Sequence, residues 1–521
     1  MPLKRIAYPL WIAFIVLFAA AHAWHLRADF PNFSPWEDWS KYTDEGWYGN
    51  AAIRAHLFGN WYVPGDFNPA PAVPVWPFLL WVLFFFTGVT VQAARGLAIA
   101  FFFLNLLLSY KLFRERGPRW VGLLAVTLLV TSPFLYSFSR LAILEPLLVA
   151  LTLGAMNLGL RLPRFRHKEA VAALIGLIFT GMLLTKTTAL FLLPALVWII
   201  ALPFWDQKRK LARILVAAGG AAALSFSLWM LLVVSNGLYA DYKYLFFVNV
   251  YKKPQGLWPR FLSFWWSFHG GLWADLILIP LAGLLILAAI YARKKDWIAG
   301  LWRDPLFSGS VLIVAGYIGF MTYQNHPQPR YYVVVAFFSF FVVVRVTAQL
   351  LYNQARARLA GFAILAVVLL VAAINSVKTL GYVFHSQYTF VTAANDLTRY
   401  IDEHPNGNRL LVSISGDEIT LISHLPSICD DFGTDELPTK LAHYQPGWYA
   451  TWNDLDPGTL EDLHVHFSLE QVAGFPAFDD PDRNVLYLFK LHPLPAGQAR
   501  ESNNPLLQEP MPDDQIDIPV E

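Results

Sequence analysis

Two adjacent carboxylates, Asp44 and Glu45, stand in the run Tyr42-Thr43-Asp44-Glu45-Gly46-Trp47-Tyr48, shortly after the first apolar stretch of the chain. A carboxylate at a membrane surface can act as general base towards a hydroxyl when its surroundings raise its pKa or a partner orients it. Taken alone, such a pair reads more simply as a solvated loop acid. Three further groups change that reading: Ser139-Arg140-Leu141-Ala142-Ile143-Leu144-Glu145-Pro146, Thr185-Lys186-Thr187-Thr188, and Asn325-His326-Pro327-Gln328-Pro329-Arg330. Each sits at the end of an apolar run, where an ionisable side chain costs on the order of 2 to 3 kcal/mol and is a functional candidate by default. The plain alternative is an interfacial anchor or a snorkelling side chain. Cations beside carboxylates suit a reaction on a lipid-linked phosphate, the cations stabilising the phosphate as it leaves and a carboxylate taking the proton of the attacking group. No glycine-rich phosphate loop, Ser-His-Asp order or H-E-x-x-H helix points elsewhere. The single cysteine, Cys429, excludes a cysteine metal cluster and reads as a small buried residue.

These groups must be held by membrane helices. The 521 residues are 56% hydrophobic and only 15% charged, against about a quarter charged in a soluble domain, so water is not the main solvent. Nearly uncharged runs such as Trp11 to Ala23, Leu97 to Leu108, Ala217 to Val234 and Phe362 to Ala373 have the length and composition a bilayer demands. The net charge of +2 gives no reason to expect nucleic acid as a partner.

Lysine and arginine positions give a topology. Lys4 and Arg5 precede the first span, 6 to 24, and favour a cytoplasmic N-terminus. A cleaved signal peptide ending at Ala21-His22-Ala23 is the rival and leaves Asp44 on the same outer side. The run from Val73 to Gly88, with Pro69, Pro71, Pro74 and Pro77 clustered at its start, is expected along the interface rather than across it; otherwise Lys111, Arg114, Arg116 and Arg119 fall outside. Spans then follow near 94–113, 119–137, 146–161, 170–185, 188–204, 212–235, 271–292, 306–323, 331–350 and 360–380, about eleven in all. Basic clusters at 161–168, 208–213, 293–303 and 356–358 all fall inside, whereas loops 27–93, 137–145, 185–187, 236–270 and 324–330 fall outside. The expected fold is thus an all-α multispan bundle over 1–380, with a soluble extracytoplasmic α/β domain at 381–500 and a disordered acidic tail at 501–521. In that domain 395–403 reads as a helix and 409–415 and 485–491 as strands. Tyr444, Trp448, Tyr449 and Trp452 are more simply core than a sugar-stacking surface, and Asp417, Glu418, Asp430 and Asp431 read as solvated acids.

At these residues the chain resembles the GT-C glycosyltransferases of the protein O-mannosyltransferase and aminoarabinose transferase (PMT/ArnT-like) family. The likeness rests on the order Asp44-Glu45, the proline-rich stretch, Arg95, the Arg140 to Glu145 loop, Thr185-Lys186 and the His326 to Arg330 loop, and covers residues 1 to 380. It implies a membrane enzyme that moves a sugar from a polyprenyl phosphate donor to a glycolipid, polysaccharide or protein acceptor at the outer face of the cell (inner) membrane, with inversion. Asp44, Glu45 and Glu145 are then the catalytic carboxylates, with Asp44 the base. Arg140, Lys186, His326 and Arg330 bind the lipid phosphate, and neither a metal nor a cofactor is required. Two departures stand out: the family commonly has Asp where Glu145 stands, and a Pro-Pro-Leu motif where this chain reads Asn68-Pro69-Ala70-Pro71-Ala72-Val73-Pro74.

Two other classes compete. A transporter or lipid flippase should carry ionisable groups near the bilayer midplane and internal repeats, neither of which this sequence displays. A noncatalytic envelope-assembly subunit would keep the fold without the chemistry, and Glu145 is the feature that favours it.

Overall fold

Leucine, valine and phenylalanine dominate runs in which lipid offers the backbone no hydrogen-bond partner, so these runs close their bonds internally as helices. The computed structural model describes residues 2–248, 256–274, 278–291, 295–352 and 355–495. The tail expected to be disordered, 501–521, lies outside them. The chain divides into two compact units, Met1–Tyr62 with Asn68–Tyr388, and Val63–Phe67 with Thr389–Glu521.

The first unit is helical. Seven helices among the described residues are long and apolar enough to cross a membrane, including Val91–Arg114, Lys208–Ser235, Pro305–Gln324 and Pro329–Tyr352, or eight if a bent pair counts as one span. Three of the four expected spans outside this set have a physical origin, and the fourth, 271–292, includes residues outside the described ones. Helices Ala7–His22 and Lys168–Leu183 have 16 residues or fewer of apolar helix, about 24 Å at 1.5 Å per residue, short of a ~30 Å hydrocarbon core. The span expected at 271–292 is described as Leu257–Ala274 and Leu278–Tyr291 on either side of 275–277. The expected continuous span at 119–137 is broken: Arg119–Thr131 and Pro133–Ser139 meet at 67°. Pro133 lacks the N–H to continue the first helix, and the Ser132 hydroxyl instead caps the second by accepting from Leu135 N at 3.1 Å. That bend delivers Ser139 and Arg140 to the loop before Glu145.

Val75–Thr87 is a 13-residue helix, about 20 Å long and too short to cross straight. Phe78, Phe85 and Phe86 lie exposed along it, apolar surface that suits lipid. By contrast the Pro329–Tyr352 span is 89% buried over its apolar window, which makes it the central post of the bundle. Phe337, Phe338 and Phe341 fill its surroundings.

The second unit carries a mixed five-stranded sheet. Its strands are β1 (Leu411–Val412), β2 (Ser427–Ile428), β3 (Trp448–Trp452), β4 (Phe467–Pro476) and β5 (Val485–Pro493), ordered β2-β1-β3-β5-β4. β1 pairs parallel with β2 and β3, and β5 pairs antiparallel with β3 and β4. Trp448, Tyr449 and Trp452 are buried in this unit, so they build its core. Asp417 and Glu418 are buried too and are not the solvated acids expected. Residues 63–67 of the loop after the first helix join this unit: Asp66 accepts from Cys429 N at 2.9 Å and lies 3.6 Å from Lys440 Nζ. Lys440 also donates to the carbonyls of Cys429 and Phe432. Cys429 is buried and free.

Candidate active site

The loop after the first helix folds into short helical pieces, Trp39–Lys41, Asp44–Trp47 and Asn50–Phe58. Asp38 starts the series, its carboxylate accepting from Ser40 N at 2.8 Å. Gly49 is the hinge between the second and third pieces: a Cβ there would lie 3.0 Å from Leu80 and 3.2 Å from the Glu45 carbonyl, so the missing side chain lets this turn press against Val75–Thr87. Asp44 and Glu45 are both buried, and the first turn of the Asp44–Trp47 helix sends them to different partners.

Asp44 faces Arg330, with Oδ2 at 3.1 Å from Nε. The two atoms are in charge contact but not aligned as a hydrogen bond, and neither has another hydrogen-bond partner. Arg330 is fixed by Asp38, which accepts from its Nη1 at 2.6 Å and from its backbone N–H at 2.8 Å. Beside this triad Lys186 pairs with Glu145, whose second oxygen is buried without a partner. The ring of Tyr331 receives both cations, Lys186 Nζ at 4.8 Å and Arg330 Cζ at 5.1 Å from its centre. Burial pushes the Asp44 carboxyl up to about 6; Arg330 and Lys186 oppose the rise, Asp38 and Glu145 add to it. Asp38 pays the same burial penalty, yet Arg330 and the N–H donors outweigh it and hold its carboxyl below the usual range. Tyr48, buried and facing Asp44, keeps its proton far above neutral pH.

The other predicted residues separate from this group. Glu45 is saturated: Arg95 donates from Nε at 2.8 Å and Nη2 at 2.5 Å, and Ala142 N donates at 2.7 Å. Arg95 also donates to the carbonyls of Leu26 and Ala28. Glu45 therefore ties the loop after the first helix to the Arg140–Glu145 loop, and both its oxygens are spent there. Arg140 sends its Nη groups to the Tyr136 hydroxyl and to the carbonyls of Trp24 and His25, which leaves only Nε without a bond. It braces the end of the first helix rather than standing in the Asp44 group. His326 lies near Arg330 and Asp38, but burial and the Arg330 charge push its imidazole down to about 3. Held down in this way the imidazole favours its neutral form, which can still hydrogen-bond a phosphate. Asp38, Tyr48 and Tyr331 were not anticipated. Among the described residues no cluster of three His, Cys, Asp or Glu could hold a metal ion.

Against the helices Asn50–Phe58 and Val75–Thr87 lies an apolar cavity of about 840 Å³, lined by Ala51, Ala55, Pro71, Trp81, Trp229 and Leu232 among others. Trp229 Nε1 donates to the Pro71 carbonyl at 2.9 Å, tying the proline-rich stretch to the helix Lys208–Ser235.

Residues 69–232 match the family model described as dolichyl-phosphate-mannose-protein mannosyltransferase. The fold of ArnT from Cupriavidus metallidurans, solved bound to undecaprenyl phosphate, superposes with a TM-score of 0.61 at 14% identity, covering 92% of this chain and 98% of that one. The chain thus shares the fold of ArnT and, over residues 69–232, is similar to the mannosyltransferase family. The oligosaccharyltransferase of Archaeoglobus fulgidus, solved tethered to an acceptor peptide, is a more distant match to the GT-C fold at TM-score 0.51 and 13% identity, over 92% of this chain and 74% of that one. No curated protein sequence matches. In this chain the Pro-Pro-Leu departure falls at Pro69 to Pro74, inside the matched segment. The Glu145 departure is met by geometry: the longer acid still reaches Lys186.

Proposed function

We propose that this membrane glycosyltransferase moves a sugar from a polyprenyl phosphate donor to an acceptor hydroxyl at the outer face of the membrane, with Asp44 as general base. The observation that carries the reading is the buried Asp44, raised to about 6 and facing Arg330 beside the Lys186–Glu145 pair. A carboxylate with that pKa is ionised at neutral pH and still a competent proton acceptor.

The charges explain how acceptance of the proton and departure of the phosphate are linked. Asp38, Asp44 and Glu145 carry three negative charges against two on Arg330 and Lys186. As the acceptor oxygen attacks the anomeric carbon, its proton passes to Asp44 Oδ2, the carbon–oxygen bond to phosphate breaks, and the electron pair stays on the phosphate. Protonated Asp44 no longer holds Arg330, whose Nε can turn to the developing phosphate charge while Lys186 approaches from the other side. A single displacement of this kind inverts the anomeric centre. The aromatic and proline-lined cavity suits the isoprenoid chain.

The test is transfer of radiolabelled sugar from synthetic polyprenyl phosphate sugars in membranes holding the wild type or Asp44→Asn, scored by release of polyprenyl phosphate. Release that requires Asp44 is the expected result. No release from any donor by folded protein would transfer the weight to the transport and assembly readings.

A further inference from the structure

Four helices that carry residues of the Asp44 and Glu45 networks, or lead to them, at one end gather arginines at the other. Val91–Arg114 carries Arg95 near its start and ends two residues before Arg116, and Glu145–Arg161 opens on Glu145 and ends three residues before Arg164. Pro305–Gln324 links Asp304 to the His326 loop, and Tyr332–Tyr352 carries Arg345 thirteen residues beyond Tyr332. At 1.5 Å per residue this places Arg345 roughly 20 Å below the Arg330 end, and Arg116 more than 30 Å below Arg95. Arg345 is an ionisable residue inside a membrane-crossing helix, a position that calls for a reason.

These residues enclose a recess of about 460 Å³ lined by Arg116, Arg164, Arg303, Arg345, Glu115 and Asp304. Its walls are braced. Asp304 accepts from Arg116 Nη1 at 3.0 Å through one oxygen and from Arg345 Nε at 2.7 Å through the other. Glu115 holds Arg161 with both oxygens and lies 3.7 Å from Arg164. Two carboxylates among four lining guanidiniums leave two positive charges uncompensated, and each guanidinium has five N–H donors, most of them unspent on the carboxylates. Cations placed only to fix topology need no recess and no carboxylate crosslinks, since long side chains at a helix end can spread into water.

We infer that this recess binds a phosphate group of an anionic species, independently of the Asp44 site, with the guanidiniums as bidentate donors. The recess lies at a helix end, where a phospholipid headgroup can enter from the bilayer and a soluble phosphate from water.

Native mass spectrometry on the full chain released from nanodiscs distinguishes these. In nanodiscs of phosphatidylcholine with one-fifth phosphatidylglycerol, the wild type should retain at least one phosphatidylglycerol that Arg164→Gln/Arg303→Gln loses, the two exposed lining arginines being chosen to spare the Asp304 bridge. The thermal midpoint in pure phosphatidylcholine should be the same for both, and inorganic phosphate at 10 mM should leave the retained lipid in place. Stabilisation by inorganic phosphate in pure phosphatidylcholine, absent in the variant, would support the site with a soluble source. Equal lipid retention by both proteins, with no response to phosphate, overturns the inference and leaves these arginines as topology determinants. Sugar transfer is not the readout, so failure here is separable from failure of the Asp44 assignment.

Discussion

Arg330 Nε stands 3.1 Å from Asp44 Oδ2 without a hydrogen bond between them. The carboxylate is therefore held by charge alone on that buried oxygen, whose hydrogen-bonding capacity is unspent within the protein. Most of the catalytic expectations follow from this pair and from the way Asp38 anchors it.

Replacing the base while keeping its shape should abolish transfer without unfolding the protein. Asp44→Asn is expected to lower turnover by roughly 10² to 10⁴-fold, with donor binding retained. Sugar release at saturating donor, alongside size-exclusion behaviour, checks this; near-wild-type turnover would remove Asp44 from the mechanism.

The pH profile should follow the same group. With the Asp44 carboxyl near 6, transfer at limiting donor should rise as pH climbs through about 6 and then level off. The stability sign is opposite. Below about 4 both folded and unfolded chains hold this proton; between about 4 and 6 only the folded chain does, so native stability falls as pH rises across that window. Asp44→Asn should remove the fall and gain on the order of 1 to 3 kcal/mol at pH 8, read as a wild-type-to-variant difference in thermal midpoint at pH 4 and pH 8.

Glu45 should behave as structure. Glu45→Ala leaves Arg95 buried without its carboxylate and is expected to cost ~3 to 5 kcal/mol. The paired change Glu45→Gln with Arg95→Met should recover much of the fold. A Glu45→Gln variant that folds normally yet loses all turnover at every pH would restore Glu45 to the chemistry.

Lys186 and Glu145 should act as one unit. Lys186→Met is expected to lower transfer by about 10² to 10³-fold, the usual range for losing one charge-stabilising donor. Glu145→Asp should stay within roughly tenfold, and Lys186→Met with Glu145→Gln should be no worse than Lys186→Met alone. Additive losses in that double variant would mean the two residues serve separate steps.

In the second unit, Trp448→Ala should lower stability by ~3 to 5 kcal/mol through the cavity it leaves, monitored by proteolysis of that unit. A fold-neutral Trp448→Ala that weakened only acceptor use would return this residue to sugar recognition.

Much of this was legible in the sequence, and the misses share causes. Asp44, Lys186 and Arg330 stood out because an ionisable residue at the end of an apolar run is rare enough to notice. Asp38 did not: in Trp36-Glu37-Asp38-Trp39 it reads as one more loop acid, and its partner Arg330 lies 292 residues away. Arg140 and Arg330 have the same sequence signature, yet one is spent on the carbonyls of Trp24 and His25 and the other faces Asp44. His326 offered a residue type but not its burial, and burial sets its charge. The break at Ser132-Pro133 was readable from the proline, although the apolar run around it suggested continuity.

The five residues 63–67 that belong to the second unit also set a clock for biosynthesis. Asp66 and its donor Cys429 are separated by 363 positions, and translation at about 5–20 residues per second leaves the earlier partner waiting some 20 to 70 seconds. During that interval the segment is already outside the ribosome, strung between helices that have begun to insert, while the pocket that will take its carboxylate does not yet exist. The second unit is consequently a post-translational closure of a loop made near the start of synthesis. A nascent chain stalled before Lys440 should leave residues 63–67 open to protease, and the completed chain should shield them.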